Sequence, residues 1–308
     1  MRLEVDREVI AQELGAEQRE VIFTGGGTEA NNLAIKGYAF AIWRETGAWP
    51  TIVTDRAEHH AVLHTVDYLA SLGALVRYVP VDRCGRVLPS ALAATIADLS
   101  TPFLVSVMHG NNEVGTLNPI AELAAVVHER DGLFHSDAVQ TFGKLPLRPH
   151  EIGVDMLSIA AHKIGGPRGV GALFAERAIE LDPLLHGGSQ ERDRRAGTEP
   201  SGLIAGFAEG VRYWTEHREE VVGRIAGLRD ELRSGLAAID GAIITTPTVE
   251  SLPTILNLTF EDAEDLDAED LKRDGANALP KLHGALLKNE QDVHLFERLA
   301  FMARRQGR

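Results

Sequence analysis

The sequence predicts an α/β protein in which a mostly parallel sheet of seven strands lies between helices, followed by a smaller α+β domain. Three observations support this prediction. Apolar runs of strand length alternate with longer amphipathic segments through the first two thirds of the chain. Polar side chains follow several of these runs directly, and the pattern changes from about Gly202, where long helical stretches take over.

Seven short apolar runs are expected to form the sheet: 21–24, 51–54, 75–79, 103–108, 133–135, 156–160 and 171–174. Helical patterns are predicted between them over 30–43, 60–72, 89–99 and 120–129. When helices connect parallel strands, the carboxyl ends of the strands meet at one edge of the sheet. Ligands bind at that edge in open α/β sheets, so functional groups are expected there.

The sequence divides into a large domain over residues 1–210 and a small domain over 211–308. Helices are expected over 203–217 and 219–239, and a strand pair over 243–246 and 254–259. The acidic run EDAEDLDAEDLKRD follows at 261–274. From about residue 261 the small domain is therefore expected to be divergent or truncated, which leaves it incomplete.

The composition of the chain argues against several classes of function. The formal net charge of −14 over 308 residues disfavours a nucleic-acid partner, because such proteins present a basic surface. No apolar run approaches the length of a membrane span, and the first residues do not form a signal peptide. Cys84 is the only cysteine, which excludes an intramolecular disulfide. A cytoplasmic protein without membrane contact is the simplest expectation.

A lysine and an aspartate end two of the predicted strands. Lys163 follows the apolar run DMLSIAA and precedes the turn GGPRG, so its amine is expected to be partly desolvated, and Asp137 ends the preceding run. Pyridoxal phosphate needs an amine for its aldehyde and an acid for its ring nitrogen. For either segment alone, a surface lysine or a helix-capping aspartate remains an alternative.

A glycine turn follows the first predicted strand, in the sequence VIFTGGGTEANN. A strand, a glycine turn and a helix N-terminus together form an anion site, in which Thr28 is the expected N-cap and phosphate ligand. The same glycines satisfy a dinucleotide fingerprint, with Asp55 as a ribose-binding acid, which would indicate a nicotinamide-dependent oxidoreductase. An ordinary helix cap is the third alternative.

Further polar residues follow the second and fourth predicted strands. His59 is suited to stack over a planar cofactor, or to cap a helix. His60 and His64 are four residues apart, but no third ligand stands at a suitable spacing, so no metal site is expected. Asn112 lies in NNEVG, which could be only a turn. Six such groups are nevertheless expected to converge on one site: Thr28, His59, Asn112, Asp137, Gln140 and Lys163.

Together, six segments resemble the cysteine desulfurases, in the class V aminotransferase group of fold-type I pyridoxal phosphate enzymes. They occur in the family's order and spacing over about residues 20–210. The segments are VIFTGGGTEANNLAIKG, EHHAVLHT, VSVMHGNNEVGTLNPIAEL, HSDAVQTFGKLPL, DMLSIAAHKIGGPRGVGALF and HGGSQERDRRAGTEP. The resemblance implies a large cofactor-binding domain and mobilisation of sulfur from L-cysteine, giving L-alanine, for iron–sulfur cluster or thio-cofactor assembly.

The resemblance also implies site residues. Lys163 would bind the cofactor aldehyde, Asp137 would face the ring nitrogen, and His59 would stack on the ring and move protons. Thr198 would reach the phosphate of a partner subunit, which implies a homodimer. A sulfur-acceptor or scaffold protein is the other implied partner. The full set of implied cofactor ligands is Gly27, Thr28, Asn112, Asp137, Gln140, His162, Lys163 and Thr198.

The sequence also departs from the family's pattern. The family has a segment of several dozen residues before the first strand and a cysteine on a loop of the small domain that receives sulfur. Neither is present, and Cys84 is not expected to replace that cysteine. Ala160 stands where a phosphate-binding serine is common, and no arginine matches the one that grips the substrate carboxylate. A class V lyase or aminotransferase and a non-catalytic cofactor-binding relative are therefore alternatives.

Overall fold

The computed structural model describes residues 2–239 and 241–260. Seven strands form the main sheet: β1 Val21–Thr24, β2 Thr51–Asp55, β3 Val76–Val79, β4 Phe103–Ser106, β5 Leu133–Asp137, β6 Met156–Ala160 and β7 Gly171–Ala175. The helices that accompany them are α1 Arg2–Leu14, α2 Gly27–Asn32, α3 Tyr38–Thr46, α4 His60–Ser71, α5 Pro89–Ile96, α6 Ile120–His128 and α7 Pro149–Ile152. Each of the seven strands predicted for this sheet is observed, with ends that differ by at most two residues.

The order of strands across the sheet is β1-β7-β6-β5-β4-β2-β3. Strands β3, β2, β4, β5 and β6 are parallel to one another, and β7 is antiparallel to both β6 and β1. Strand β1 therefore runs in the same direction as β6, and β7 alone is reversed. The carboxyl ends of six strands consequently lie at one edge, which places the residues that follow them close together.

Burial explains why these runs form strands. Every residue of β1, β4, β6 and β7 is buried, as expected for strands covered by helices on both faces. Phe103, Phe134 and Phe174, on β4, β5 and β7, are among the largest fully buried side chains. The rigid core lies directly beneath the edge at which the strands end.

The helix after β1 has an irregular turn. A π-helical turn, Leu33–Gly37, joins α2 to α3, where the sequence predicts one regular helix over 30–43. A π turn contains one more residue than an α turn, so it changes which side chains face the sheet on either side of it. Gly37 lies within this turn, and its carbonyl oxygen accepts a 2.9 Å hydrogen bond from the backbone N–H of Asp182.

The chain forms two compact units, which divide between residues 219 and 220, with residues 113–116 also belonging to the second unit. The sequence places the boundary at about 210. The predicted helices 203–217 and 219–239 are wrong as two elements, because a single helix, α8 Ser201–Leu236, covers them. The second unit contains a strand pair, β8 Ala242–Ile244 and β9 Leu258–Phe260. The predicted divergent tail from 261 lies outside the described residues.

Among the residues that the structure describes, none of the helices combines the length and the apolar character needed to cross a membrane.

Candidate active site

Three of the segments that carry predicted site residues meet at the carboxyl edge of the sheet. Gly27 begins α2 directly after the glycine turn and is buried. A Cβ atom built on Gly27 would lie 2.6 Å from Cγ2 of Val139 and 3.5 Å from Cβ of Ala160. The glycine turn therefore lies against the residues that follow β5 and against the end of β6, as predicted from the strand order.

Asp137 is the last residue of β5 and is 7% exposed. Its Oδ2 accepts a 2.6 Å hydrogen bond from Nδ2 of Asn31, and its Oδ1 accepts a 2.9 Å bond from the backbone N–H of Val139. Burial raises the pKa of Asp137, while these two hydrogen bonds and the nearby His59 and Lys163 act in the opposite direction. The carboxylate thus lies in a dry position that favours a cationic partner.

Lys163 and His162 lie in a 3₁₀-helical turn, Ala161–Ile164, that follows β6 immediately, and both side chains are half-buried. Trp214 fixes this turn, because its indole N–H donates a 3.0 Å hydrogen bond to the carbonyl oxygen of Ile164. The positive charge of Lys163 lowers the pKa of Asp137. The amine and the carboxyl group are therefore close enough for their charges to interact.

His59 is the N-cap of α4, and its side chain is exposed. Its Nδ1 accepts a 3.0 Å hydrogen bond from the backbone N–H of Ala61. In the neutral ring the proton is consequently on Nε2, which is then the hydrogen-bond donor of the ring. His59 also lowers the pKa of Asp137, so the ring lies near the carboxylate. The residue is therefore both the predicted helix cap and a member of the cluster.

The remaining predicted residues lie around this cluster with different exposure. Thr28, in the first turn of α2, is exposed, while Asn112 and Gln140, in the turns after β4 and β5, are half-buried. The backbone carbonyl oxygen of Gln140 accepts a 2.7 Å hydrogen bond from Nζ of Lys144. Thr198 is exposed in the loop before α8. Contacts with a cofactor or with a partner subunit remain predictions for these four residues.

Sequence reasoning missed two polar residues that support the cluster. Asn31 bonds directly to Asp137, and its own Oδ1 is buried without a hydrogen-bond partner among the described residues. Glu58 precedes His59, is 6% exposed and accepts a hydrogen bond from the backbone N–H of Met108. In the sequence, only the positions of these two residues could have indicated a role in the site. Asn31 follows the glycine turn by one helical turn, and Glu58 adjoins a predicted site residue.

The loop that carries Thr198 is attached to α1 by a buried ion pair and to β1 by a hydrogen bond. Glu191 is 4% exposed and Arg7 is 2% exposed. The two guanidinium NH groups donate hydrogen bonds of 2.7 and 2.9 Å to the Glu191 carboxylate, which also accepts a 2.9 Å bond from the backbone N–H of Phe23. Glu191 and the next two residues all have positive φ, an uncommon conformation for residues other than glycine. This ion pair holds the loop in that conformation.

A second ion pair connects the same loop to the glycine turn. Glu29 accepts a 2.7 Å hydrogen bond from the backbone N–H of Gly25, and it also pairs with Nε of Arg195 at 2.9 Å. Arg195 precedes Thr198 by three residues. The position of Thr198 is therefore linked to the conformation of the glycine turn within one subunit.

Gly171, at the start of β7, allows the glycine turn to approach the sheet. A Cβ atom at this position would lie 2.7 Å from the carbonyl oxygen of Ile159 and 2.8 Å from the carbonyl carbon of Gly26. Both contacts are with backbone, which cannot rotate away. Gly171→Ala is expected to lower the unfolding free energy by about 1–3 kcal/mol, as other overpacked substitutions do.

Denaturant unfolding at equilibrium measures this effect. Gly223→Ala is the matched control, because Gly223 lies inside α8 and a Cβ there meets no heavy atom within 4 Å. The control is expected to be stabilised by about 0.5–1 kcal/mol, the usual gain for Gly→Ala within a helix. Equal stability of Gly171→Ala and the unmodified protein would contradict the proposed close approach.

The structure bears on three alternative interpretations of the sequence: Asp55 as a ribose-binding acid, His60 and His64 as metal ligands, and Cys84 as the cysteine that receives sulfur. Asp55 is 1% exposed and accepts a 2.7 Å hydrogen bond from the N–H of Ala57, so it does not project toward a ribose. The rings of His60 and His64 stack at 5.0 Å, and no group of three or more potential metal ligands occurs within 2–239 and 241–260. Cys84 is half-buried. It adjoins Gly85, and a Cβ atom placed on Gly85 would lie 3.6 Å from Cβ of Ala57.

Comparison with known proteins gives the family. A sequence model of the family described as "Aminotransferase class-V" matches residues 2–276. The chain belongs to the class-V aminotransferases. Cysteine desulfurase IscS of Dictyoglomus turgidum is 43% identical over 263 residues, which are 85% of this chain and 66% of that protein. The IscS-like cysteine desulfurase of Mycobacterium tuberculosis is 46% identical over 244 residues, which are 78% and 61% of the two chains.

Solved structures agree with this assignment. A NifS-like protein superposes with a TM-score of 0.79 at 38% identity, covering 84% of this chain and 70% of the other. DndA from Streptomyces lividans has a TM-score of 0.80 at 36% identity, with coverages of 91% and 77%. The predicted fold class and family resemblance are confirmed. The chain spans about two thirds of the length of the curated relatives it matches, from 63 to 66% for the first three.

Class-V aminotransferases depend on pyridoxal phosphate, so the cofactor prediction is confirmed for the family. The residues of this chain fit that cofactor. Asp137 offers a buried carboxylate whose ionised form burial disfavours, and a protonated ring nitrogen would supply the missing positive charge. The amine of Lys163 lies nearby, and the glycine turn offers a helix N-terminus for the phosphate.

Proposed function

We propose that this class-V aminotransferase is a cysteine desulfurase, which transfers the sulfur of L-cysteine to a thiol acceptor and releases L-alanine. The observation that carries the proposal is the cluster of Asp137, Lys163 and His59 at the edge of the sheet, in a chain about 40% identical to proteins named cysteine desulfurase. A structure entitled "SspA in complex with cysteine" has a TM-score of 0.76 to this chain at 35% identity.

The reaction assigns a task to each member of the cluster. Pyridoxal phosphate, when bound, supplies an electrophilic aldehyde and an electron sink. Lys163 presents its amine to that aldehyde and then holds or moves the proton at Cα of the substrate. Asp137 keeps the ring nitrogen protonated. His59, whose neutral form carries its proton on Nε2, stacks on the ring and exchanges a proton with the substrate.

Binding of the cofactor is assigned to the turns around the cluster. Gly27, Thr28 and His162 hold the phosphate, and Asn112 and Gln140 contact the ring on its hydroxyl side. Thr198 reaches the phosphate of a second subunit, so the proposed assembly is a homodimer. The exposure of Thr198 and its location in a loop fixed by two ion pairs support this role.

Sulfur transfer requires a thiolate in addition to these residues. The acceptor sulfur attacks the sulfur of the substrate, and the bond between that sulfur and Cβ breaks. The bonding pair stays on Cβ, which takes up a proton equivalent to the one that the acceptor thiol loses and becomes the methyl group of alanine, and the acceptor becomes a persulfide. Because Cys84 is the only cysteine of the sequence, the proposed acceptor is an external thiol or a partner protein. The cytoplasm, with its reduced thiols, is the proposed compartment.

A cysteine-dependent assay tests the proposal. The purified protein, supplied with pyridoxal phosphate, is incubated with L-cysteine and dithiothreitol, and alanine and sulfide are measured. Equal amounts of both products are expected. Asp137→Asn is expected to retain bound cofactor but to form alanine at least about 100-fold more slowly, because an amide cannot stabilise a charged ring nitrogen.

Asp155→Asn is the matched control. Asp155 is a second buried aspartate, but it lies before β6, at the opposite edge of the sheet. Turnover per folded molecule is expected to be unchanged in this variant. Cofactor binding without alanine formation would contradict the desulfurase proposal and favour a non-catalytic relative. Pyruvate and ammonia released from L-cysteine would instead favour a class-V lyase.

A further inference from the structure

Glu58 is a buried carboxyl group that the proposed reaction does not use. It is 6% exposed and lies in the turn between β2 and α4, one residue before His59. Its Oε1 accepts a hydrogen bond from the backbone N–H of Met108, two residues beyond the end of β4. The backbone amide of His59 also interacts with the same carboxyl group. Glu58 therefore connects the turn that carries His59 to the neighbouring strand.

A second buried carboxyl group lies in the same turn. Asp55 is 1% exposed, and its Oδ1 accepts a 2.7 Å hydrogen bond from the backbone N–H of Ala57. Oδ2 of Asp55 and Oε2 of Glu58 are both buried without a hydrogen-bond partner among the described residues. Two ionised carboxylates can only accept, so neither could satisfy the other. One shared proton would satisfy both oxygen atoms.

The charges around Glu58 favour its neutral form. Burial raises the pKa of Glu58 well above its ordinary value, and the carboxylates of Asp55 on β2 and Asp137 on β5 raise it further. Burial also raises the pKa of Asp55, to about 6. His59 and Lys163 act on Asp137 in the opposite direction and lower its pKa. The carboxyl groups of Asp137 and Glu58 therefore differ, because Asp137 has neighbours that favour its ionised form and Glu58 has carboxylate neighbours that oppose ionisation.

We propose that Glu58 is a positioning residue that remains a neutral acid and donates its Oε2 proton to Oδ2 of Asp55, while its Oε1 accepts the N–H of Met108. This arrangement fixes the turn that presents His59 and leaves Asp137 as the ionised carboxylate of the site. The inference depends on the proposed function only for the role of His59, because the carboxyl pair is a property of the folded chain alone.

Glu58→Gln and Glu58→Ala distinguish a neutral acid from an ionised one. Glutamine keeps an oxygen for the N–H of Met108 and an N–H for Asp55, so it reproduces the proposed neutral acid. Alanine removes both. We expect Glu58→Gln to unfold at the same temperature as the unmodified protein at pH 5. Glu58→Ala is expected to unfold several degrees lower, about 4–8 °C for the loss of 1 kcal/mol in a small domain and less in a larger one.

The pH dependence of unfolding is the readout that a purely structural role would not change. A carboxyl group whose pKa is raised in the folded state binds more protons there than in the unfolded state. Its contribution to the stability of the folded protein is therefore lost as the pH rises above 4.5, the ordinary pKa of a glutamate. The unmodified protein is therefore expected to lose thermal stability relative to Glu58→Gln as pH rises from 5 to 9. This measurement uses the protein without added cofactor, so it does not depend on any enzymatic activity.

Glu20→Gln is the matched control. Glu20 is likewise buried, at 5% exposure, but its Oε2 accepts a 2.8 Å hydrogen bond from the N–H of Glu17 and faces Nε2 of His150 at 3.0 Å. A carboxylate with a histidine partner is expected to lose stability when it becomes an amide, so Glu20→Gln should unfold at a lower temperature. The two Glu→Gln variants are thus expected to respond differently to the same chemical change.

The role in positioning His59 requires a second measurement, titration of pyridoxal phosphate followed by the absorbance band of the bound cofactor. Glu58→Gln is expected to retain the affinity and the band, while Glu58→Ala is expected to bind about tenfold more weakly, since one buried hydrogen-bonded group is lost. If Glu58→Gln is destabilised as much as Glu58→Ala, or shows no gain relative to the unmodified protein at high pH, the proposal of a neutral acid is wrong. If neither variant changes cofactor binding, the positioning role is wrong.

Discussion

Replacing Lys163 by alanine is expected to remove covalent attachment of the cofactor and to slow alanine formation by about 10⁴-fold or more, since both the amine and its proton transfer are lost. The measurement is mass spectrometry after borohydride reduction. The unmodified protein should gain one reduced cofactor on the peptide that contains Lys163, and the variant should gain none. Lys163 lies in a turn fixed by Trp214, so the fold is expected to survive.

Lys36→Ala is the control for this experiment. Lys36 is another half-buried lysine, and it lies in the π-helical turn Leu33–Gly37. Its Nζ lies 4.5 Å from the ring centroid of Tyr68 on α4. Cofactor attachment to Lys163 should be unchanged in this control. Reduced cofactor found on any other lysine of the Lys163→Ala variant, together with undiminished alanine formation, would contradict the role assigned to Lys163.

Glu191→Ala is expected to lower the unfolding free energy by about 3–5 kcal/mol, because removal of one partner leaves a buried charge unpaired. Arg7 would lose both hydrogen bonds to the carboxylate, and the N–H of Phe23 would lose its acceptor. Glu4→Ala is the control, since Glu4 is a half-exposed partner of Arg7 at 3.4 Å. That substitution is expected to change stability by less than about 1 kcal/mol.

A double substitution tests the explanation itself. Adding Arg7→Met to Glu191→Ala removes the unpaired guanidinium, so stability is expected to recover in part. Denaturant unfolding of the two single variants, Glu191→Ala and Arg7→Met, and of the double variant gives the comparison. If the double variant is less stable than Glu191→Ala by the full effect of Arg7→Met alone, the two residues act independently, and the ion pair is not the reason for the loss.

The sheet was predictable because its strands are short apolar runs, and their burial on both faces leaves no other arrangement for them. The prediction of two helices, 203–217 and 219–239, was wrong, because the helix continues through Arg218. The side chain of Arg218 bonds to the carbonyl oxygen of Gly143 and to Glu13 on α1. These partners are distant in sequence, and they allow a polar helix to continue without interruption.

The candidate site was predictable where function depends on residues that follow strands, as with Asp137 and Lys163. Its supporting residues were not. Glu191 bonds to a residue 184 positions away, and Asn31 to one 106 positions away. Local sequence indicates that a glutamate or an asparagine is present, but only the folded chain shows which buried group it satisfies. The roles assigned to all of the site residues, Asp137 and Lys163 included, remain predictions.

The π-helical turn Leu33–Gly37 has a consequence for how this chain can change in length. If this turn took regular α geometry with all of its residues kept, one half of the helix would rotate relative to the other by about 100°. Either Asn31 would turn away from Asp137, or Tyr38 and the rest of α3 would leave the hydrophobic core. Deleting one residue would instead convert the wide turn into a regular one and keep both halves nearly in register, so a single-residue deletion in this stretch should be tolerated better than a single-residue insertion.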